Sequence, residues 1–173
     1  MMNIKKWFMV LAVIFVVLGW GSSVFAINGK SNRATLKGLK GVGVLVEKLA
    51  PEAESAGLVR NQLQSDVESK LQKAGIKVLS KEESAKTPGE PYLYININLN
   101  TAKTESDIYP YSIDILLIQK VSLLRDPKIT TYATTWSTGG VGSIGKYILG
   151  QLPDNIKDIV DIFIKAYQAE NPR

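Results

Sequence analysis

Between Gly139 and Tyr147 the chain reads GGVGSIGKY. Gly140, Gly142 and Gly145 carry the G-x-G-x-x-G spacing of a dinucleotide fingerprint, and Gly140 to Lys146 carries the G-x-x-x-x-G-K of a phosphate loop. Both motifs hold phosphate on backbone N–H groups between a strand and its helix, with another parallel strand after that helix. Only one helix is expected after Lys146, and Tyr147 stands where a phosphate loop needs Ser or Thr for magnesium. The stretch is therefore expected to be a flexible strand-to-helix connection that binds no nucleotide. No cofactor is implied.

Acid–base chemistry has few carriers here. The chain contains no histidine, which removes His-based triads, the usual general base near neutral pH and most zinc sites. Glu105, Asp107 and Asp114 are close in sequence, and a carboxylate pair is what glycoside hydrolysis uses. Glu105 and Asp107 sit among Thr104 and Ser106, as solvated turn residues do, and Asp114 lies opposite the apolar side of its strand. A calcium ion needs six or more oxygens, more than Asp107 alone supplies. The expectation is no catalytic residue and no metal.

Binding chemistry is better represented. YLYININLN, Tyr92 to Asn100, alternates with period two. Leu93, Ile95, Ile97 and Leu99 point one way, and Tyr92, Tyr94, Asn96 and Asn98 the other. By the same period Tyr132, Thr134 and Trp136 share one side of a later strand. If the sheet has an open face, Tyr92, Tyr94, Asn96, Asn98, Tyr132 and Trp136 form a surface of aromatic bodies and polar tips. Such a surface suits a sugar, a peptide or a protein.

The elements that would position these residues follow from hydrophobic period and punctuation. Val42 to Leu49 reads as a first strand. Within Pro51 to Ala74, Val59, Leu63, Val67 and Leu71 fall four apart on one helical face, with Lys70 and Lys73 in the last turn and Gly75 after it. Ile76 to Leu79 reads as a second strand, and Lys81 to Pro91 as a polar loop. Tyr92–Asn100, Tyr111–Leu124 and Ile129–Ser137 are the remaining strands, the last two a hairpin turning at Asp126-Pro127. Asp154 to Gln168 is a final helix whose apolar arc exceeds the roughly 100° a two-layer domain needs. Its surplus marks Ile162 and Ile164 as a candidate interface. The fold expected is α+β: a two-layer sandwich with a mixed, mostly antiparallel sheet of about five strands and two helices on one face, in the order β-α-β-β-β-β-α.

The N-terminus reads as an export signal, residues 1–26. Lys5 and Lys6 precede the apolar run Trp7 to Trp20, and Val24-Phe25-Ala26 supplies a small-x-small cleavage site. The run is short for a spanning helix, so membrane contact is expected only through this segment if it is retained. Cleavage after Ala26 removes two lysines from a formal net charge of +5. The remaining charge is too mild to imply nucleic acid. There is no cysteine, so neither lipid attachment nor a disulfide framework is available. Residues 27–40 are basic, polar and free of acids, the pattern of a flexible arm, and 41–173 suits a single domain.

GVGVLVEKL, then GLVRNQLQSDVESKLQKAGIKVLSKEE, then PYLYININ resembles the opening α/β domain of envelope proteins of the TolB amino-terminal and CsgG-like type. The shared phrase is Gly-hydrophobic-x-Val after the helix, here Gly75-Ile76-Lys77-Val78, and the resemblance covers about Gly41 to Leu99. It implies a non-enzymatic envelope protein that works by binding partners. With no propeller domain and no lipid-bearing cysteine, translocation and pore formation are not carried over. The expectation is an exported, periplasmic or secreted, binding or assembly module that meets another envelope protein or itself. Ligand or glycan binding on the aromatic/Asn face is the alternative, and a carboxylate hydrolase is the remote one.

Overall fold

The computed structural model describes residues 27–100 and 107–172. Residues 1–26, where the export signal is expected, and Glu105 lie outside the described residues. Four strands form one sheet: β1 (Gly43–Val46), β2 (Tyr92–Leu99), β3 (Ile108–Leu123) and β4 (Asp126–Gly145), in the order β1-β2-β3-β4. β1 runs parallel to β2, and the other two pairings are antiparallel. Five α-helices accompany them: α1 (Lys30–Arg33), α2 (Pro51–Ser55), α3 (Arg60–Lys73), α4 (Lys81–Lys86) and α5 (Leu152–Glu170). The mixed α+β class is as expected. The strand and helix numbers are not.

The fifth strand is missing because Ile76–Leu79 makes a single parallel bridge, Val42 to Val78, and then leaves. Ser80 ends it by capping α4. Its hydroxyl accepts from the Glu83 N–H at 3.2 Å while the Glu83 carboxylate accepts from the Ser80 N–H at 2.9 Å. This capping box fixes a helix where the polar loop was expected. The β3–β4 hairpin turns at Leu124-Arg125, not at Asp126-Pro127. Asp126 opens β4 instead, its carboxylate accepting from the Lys128 N–H at 3.1 Å. Beyond Ile118, the last partner of β2, this hairpin runs on as a two-stranded ribbon.

One sheet face carries the core. Leu93, Ile95, Ile97 and Leu99 of β2 and Ile113, Ile115 and Leu117 of β3 are buried with Leu63, Val67 and Leu71 of α3 and Ile156, Val160 and Phe163 of α5. The wide arc of α5 is covered on both sides. Asp161 pairs with Lys70 of α3 at 2.8 Å, and Gln168 donates to the Ala74 carbonyl at 3.2 Å. Ile164 lies on that same helical stripe and is buried under α3, which removes it from the candidate interface. Ile162 remains exposed.

Residues 27–40 are not a free arm. Leu36 is fully buried, and the turn around it is tied to the end of α5. Asn171 donates to the Leu36 carbonyl at 2.9 Å and accepts from the Gly38 N–H at 2.7 Å, while Tyr167 donates to the Leu39 carbonyl at 2.8 Å. Ile27 and Asn32 meet the outer edge of β4 at Ser137 and Thr135. The four basic side chains Lys30, Arg33, Lys37 and Lys40 face solvent, so the sequence showed polarity where one leucine decides the packing.

GGVGSIG is strand, and only Lys146-Tyr147 begin the connection, a 3₁₀ helix over Lys146–Gln151 that leads into α5. Gly139 to Gly145 lie within β4, paired with β3 from Asp114 to Ile108. None of these glycines has a positive φ. Their role is close approach. A Cβ on Gly139 would stand 2.5 Å from the Ile113 carbonyl oxygen, and one on Gly142 would stand 2.8 Å from the Tyr111 ring. With the backbone extended, the convergent N–H groups of a phosphate loop are not formed there.

Candidate functional site

The sheet face opposite the core has a defined chemistry. Register places Leu45, Tyr94 and Leu116 in one row, Tyr92 and Ile118 in the next, and Asn96 with Asp114 and Asn98 with Ser112 beyond them. Asn98 donates to the Ser112 hydroxyl at 3.2 Å. Tyr92, Tyr94 and Asn96 are half-buried and Asn98 is exposed, while their neighbours Leu93, Ile95 and Ile97 are buried. The alternation in the sequence therefore separates the faces correctly.

Trp136 does not join this face. Leu117 pairs with Trp136, but Ile118 pairs with Thr134, so Thr135 is an extra residue in β4. Such a bulge inverts the side-chain parity across it. Tyr132 and Thr134 stay on the open face and Trp136 turns into the core. Its indole Nε1 donates to the Asn28 side-chain oxygen at 2.9 Å.

Tyr132 is brought to Tyr92 across β3, with ring centroids 6.4 Å apart. Next to this pair stands Glu90, which the sequence reading passed over as part of a loop. Glu90 has φ 43°, after Gly89 at φ 80°, so two successive left-handed residues turn the chain into β2. A glutamate held there is strained by about 1–3 kcal/mol. Its carboxylate accepts from the Tyr132 hydroxyl and, at 3.0 Å, from the Lys120 ammonium. The Tyr132 hydrogen bond, followed by that of Lys120, holds the Glu90 carboxyl below its ordinary value. The same partnership raises Lys120 and Tyr132. The signal available in the sequence was Thr87-Pro88-Gly89-Glu90-Pro91, a tight turn aimed at the first residue of β2.

A cleft of about 990 Å³ starts at Tyr92, Tyr132 and Glu90 and runs along the β1 edge between α3 and α4. Gly43, Val44 and Leu45 form its floor, and Arg60, Gln64 and Glu68 its α3 wall. A shallower hollow of about 600 Å³ lies at the other end of the open face, beside Asn98, Ser112 and Val141. No family model, curated protein or solved structure matches this chain.

Asp107 and Asp114 are not brought together. Asp114 lies on β3 seven residues beyond Asp107, about 23 Å along an extended strand, against roughly 5–9.5 Å in a glycosidase pair. Asp107, with φ 43°, is 3.9 Å from the Lys146 ammonium, and its carbonyl accepts from the Lys146 N–H at 2.9 Å. That lysine closes the β3–β4 end. Among the described residues no group of three or more Asp and Glu stands close enough to hold a metal, and no helix is long and apolar enough to cross a membrane.

Proposed function

We propose that this chain is a non-catalytic, exported binding and assembly module of the bacterial cell envelope, a two-layer sandwich whose open sheet face meets another envelope protein. One observation carries the reading: Leu45, Tyr92, Tyr94, Leu116, Ile118 and Tyr132 stand on the face opposite the core, next to the polar group Asn96, Asn98 and Asp114. An apolar centre with a polar border is how protein contact surfaces are composed. The export-signal pattern at residues 1–26, the absence of histidine and the TolB/CsgG-like resemblance over Gly41–Leu99 support the same reading.

Tyr94→Asp tests it. The side chain is half-buried on the open face, so the variant should fold and lose whatever envelope partner the wild type captures. Capture unchanged by Tyr94→Asp would move the contact off this face. Mass spectrometry of the exported protein should find Ile27 at its terminus; an intact Met1 would make residues 1–26 an anchor. A second reading, a glycan or small ligand, is favoured by the Tyr92–Tyr132 pair beside the Glu90 carboxylate. Perturbation of those two tyrosines by soluble envelope oligosaccharide would select it.

A further inference from the structure

The hydrogen bonds on either side of β1 determine where its backbone points. Gly43 and Glu47 donate to Pro91 and Ile95 of β2, at 3.0 and 2.9 Å. In a parallel ladder alternate residues face the same neighbour, so Gly43, Leu45 and Glu47 serve β2, and Val42, Val44 and Val46 face the other way. Three bonds on the far side agree with that assignment. Val42 donates to the Lys77 carbonyl at 3.0 Å and accepts from the Leu79 N–H at 2.9 Å. The Val46 carbonyl accepts from Arg60 Nε at 2.7 Å. Between these bonds the Val44 N–H and C=O are turned toward the cleft of about 990 Å³ that Val44 lines, whereas Val46 is fully buried.

A neighbouring strand begins beside Val42 and is stopped by the Ser80 capping box, which leaves β1 without a neighbouring strand at Val44. Unpaired strand edges take up added strands, because main-chain hydrogen bonds supply affinity whatever the partner's sequence. The charge of the cleft says more about the partner. Arg60 is half-buried, uses its Nε on Val46 and has no carboxylate within ion-pair distance among the described residues. Glu90, at the other end, is already neutralised by Lys120. Glu68 accepts from Gln64 at 2.9 Å.

We infer that the β1 edge is a peptide-binding site: an extended segment of another protein pairs with the backbone of Val44 in the cleft and sets an acidic side chain against Arg60. The inference rests on the binding-module reading and specifies its ligand class, but it uses the sheet edge where that reading uses the face.

The test uses a displayed library of random nine-residue peptides selected on the purified protein, followed by affinity measurement of synthetic copies. Selected peptides should contain an acid and should slow exchange of the Val44 amide. Val44→Pro removes an outward N–H without touching the β1–β2 ladder, since Pro is tolerated on a strand edge at such a position. It should weaken binding at least tenfold, and so should Arg60→Glu, whereas Tyr94→Asp should not. If Val44→Pro fails to fold, Arg60→Glu and the amide exchange still decide. No selected peptide, or peptides that leave Val44 exchange unchanged, overturns the inference. Concentration-dependent protection of the Val44 amide without peptide would assign the edge to a second copy of this chain and also overturns it. Peptide binding lost in Tyr94→Asp but kept in Val44→Pro would sink the edge and leave the open-face reading standing.

Discussion

The rings of Trp136 and Phe163 meet edge to face, 5.3 Å between centroids and 66° between planes, and both are fully buried. This contact joins β4 to α5, and it exists because the Thr135 bulge turns Trp136 inward. Phe163→Ala leaves a cavity against the indole and should cost about 3–5 kcal/mol. Asn28→Ala leaves the Trp136 Nε1 without its acceptor and should cost about 1–3 kcal/mol. Urea unfolding of the two variants beside wild type checks both. An Asn28→Ala protein as stable as wild type would show that the Asn28–Trp136 hydrogen bond adds no net stability.

The contrast between Ile162 and Ile164 separates surface from core on α5. Ile164→Lys buries an ammonium under α3 and should cost several kcal/mol or abolish folding. Ile162→Lys should change stability by no more than about 0.5 kcal/mol. Circular dichroism melts of both decide it. Equal destabilisation would mean that the helix is rotated relative to the stripe defined by Asp161 and Gln168.

Substitutions in β4 and in the turn just after it give a graded series. Gly139→Ala drives a methyl against the Ile113 backbone and should destabilise by about 1–3 kcal/mol. Gly150→Ala meets nothing within 4 Å and has no positive φ, so it should be neutral or slightly stabilising. Lys146→Ala breaks only an exposed pair at 3.9 Å and should change stability by about 0–1 kcal/mol. Thermal melts rank the three. A Gly139→Ala protein that melts with wild type would mean that β3 and β4 can separate locally without loss.

Strict alternation in YLYININLN was legible because β2 is regular along its whole length, so period two and burial coincide. The helix around Leu63, Val67 and Leu71 was legible for the same reason, since one period runs through it. Trp136 was misplaced because a bulge is one residue long and leaves no mark in hydrophobicity. Ile164 was misplaced because the arc of a helix tells how much is covered, not by what. IKVL has strand composition, yet the Ser80–Glu83 capping box four residues on ends the pairing after one bridge. Glu90 and Arg60 were missed because their importance lies in contacts across long sequence separations, to Tyr132 and to Val46.

Glu90 supplies a prediction in pH and one in backbone strain. Its folded carboxyl is depressed, chiefly by the Tyr132 hydroxyl and then by Lys120, so the ionised form is the one the fold favours. The stability it contributes is present above its ordinary carboxylate value and is lost as pH falls through the lower folded value. The stability difference between wild type and Glu90→Gln should therefore be constant near neutrality and shrink only in acid. Tyr132→Phe removes the first cause, so the Glu90 resonance followed by carboxyl NMR should titrate at higher pH than in wild type. Lys120 and Tyr132 are raised, so their contributions are held at neutral pH and lost only in strong alkali. Backbone strain separates from the charge by comparing Glu90→Gly with Glu90→Ala, which lose the carboxylate equally. With φ at 43°, glycine should be the more stable of the two by roughly 1–2 kcal/mol. If alanine proves equal to glycine in urea unfolding, the left-handed turn at Gly89-Glu90 relaxes without cost, and Glu90 stands beside Tyr132 without being held there by strain.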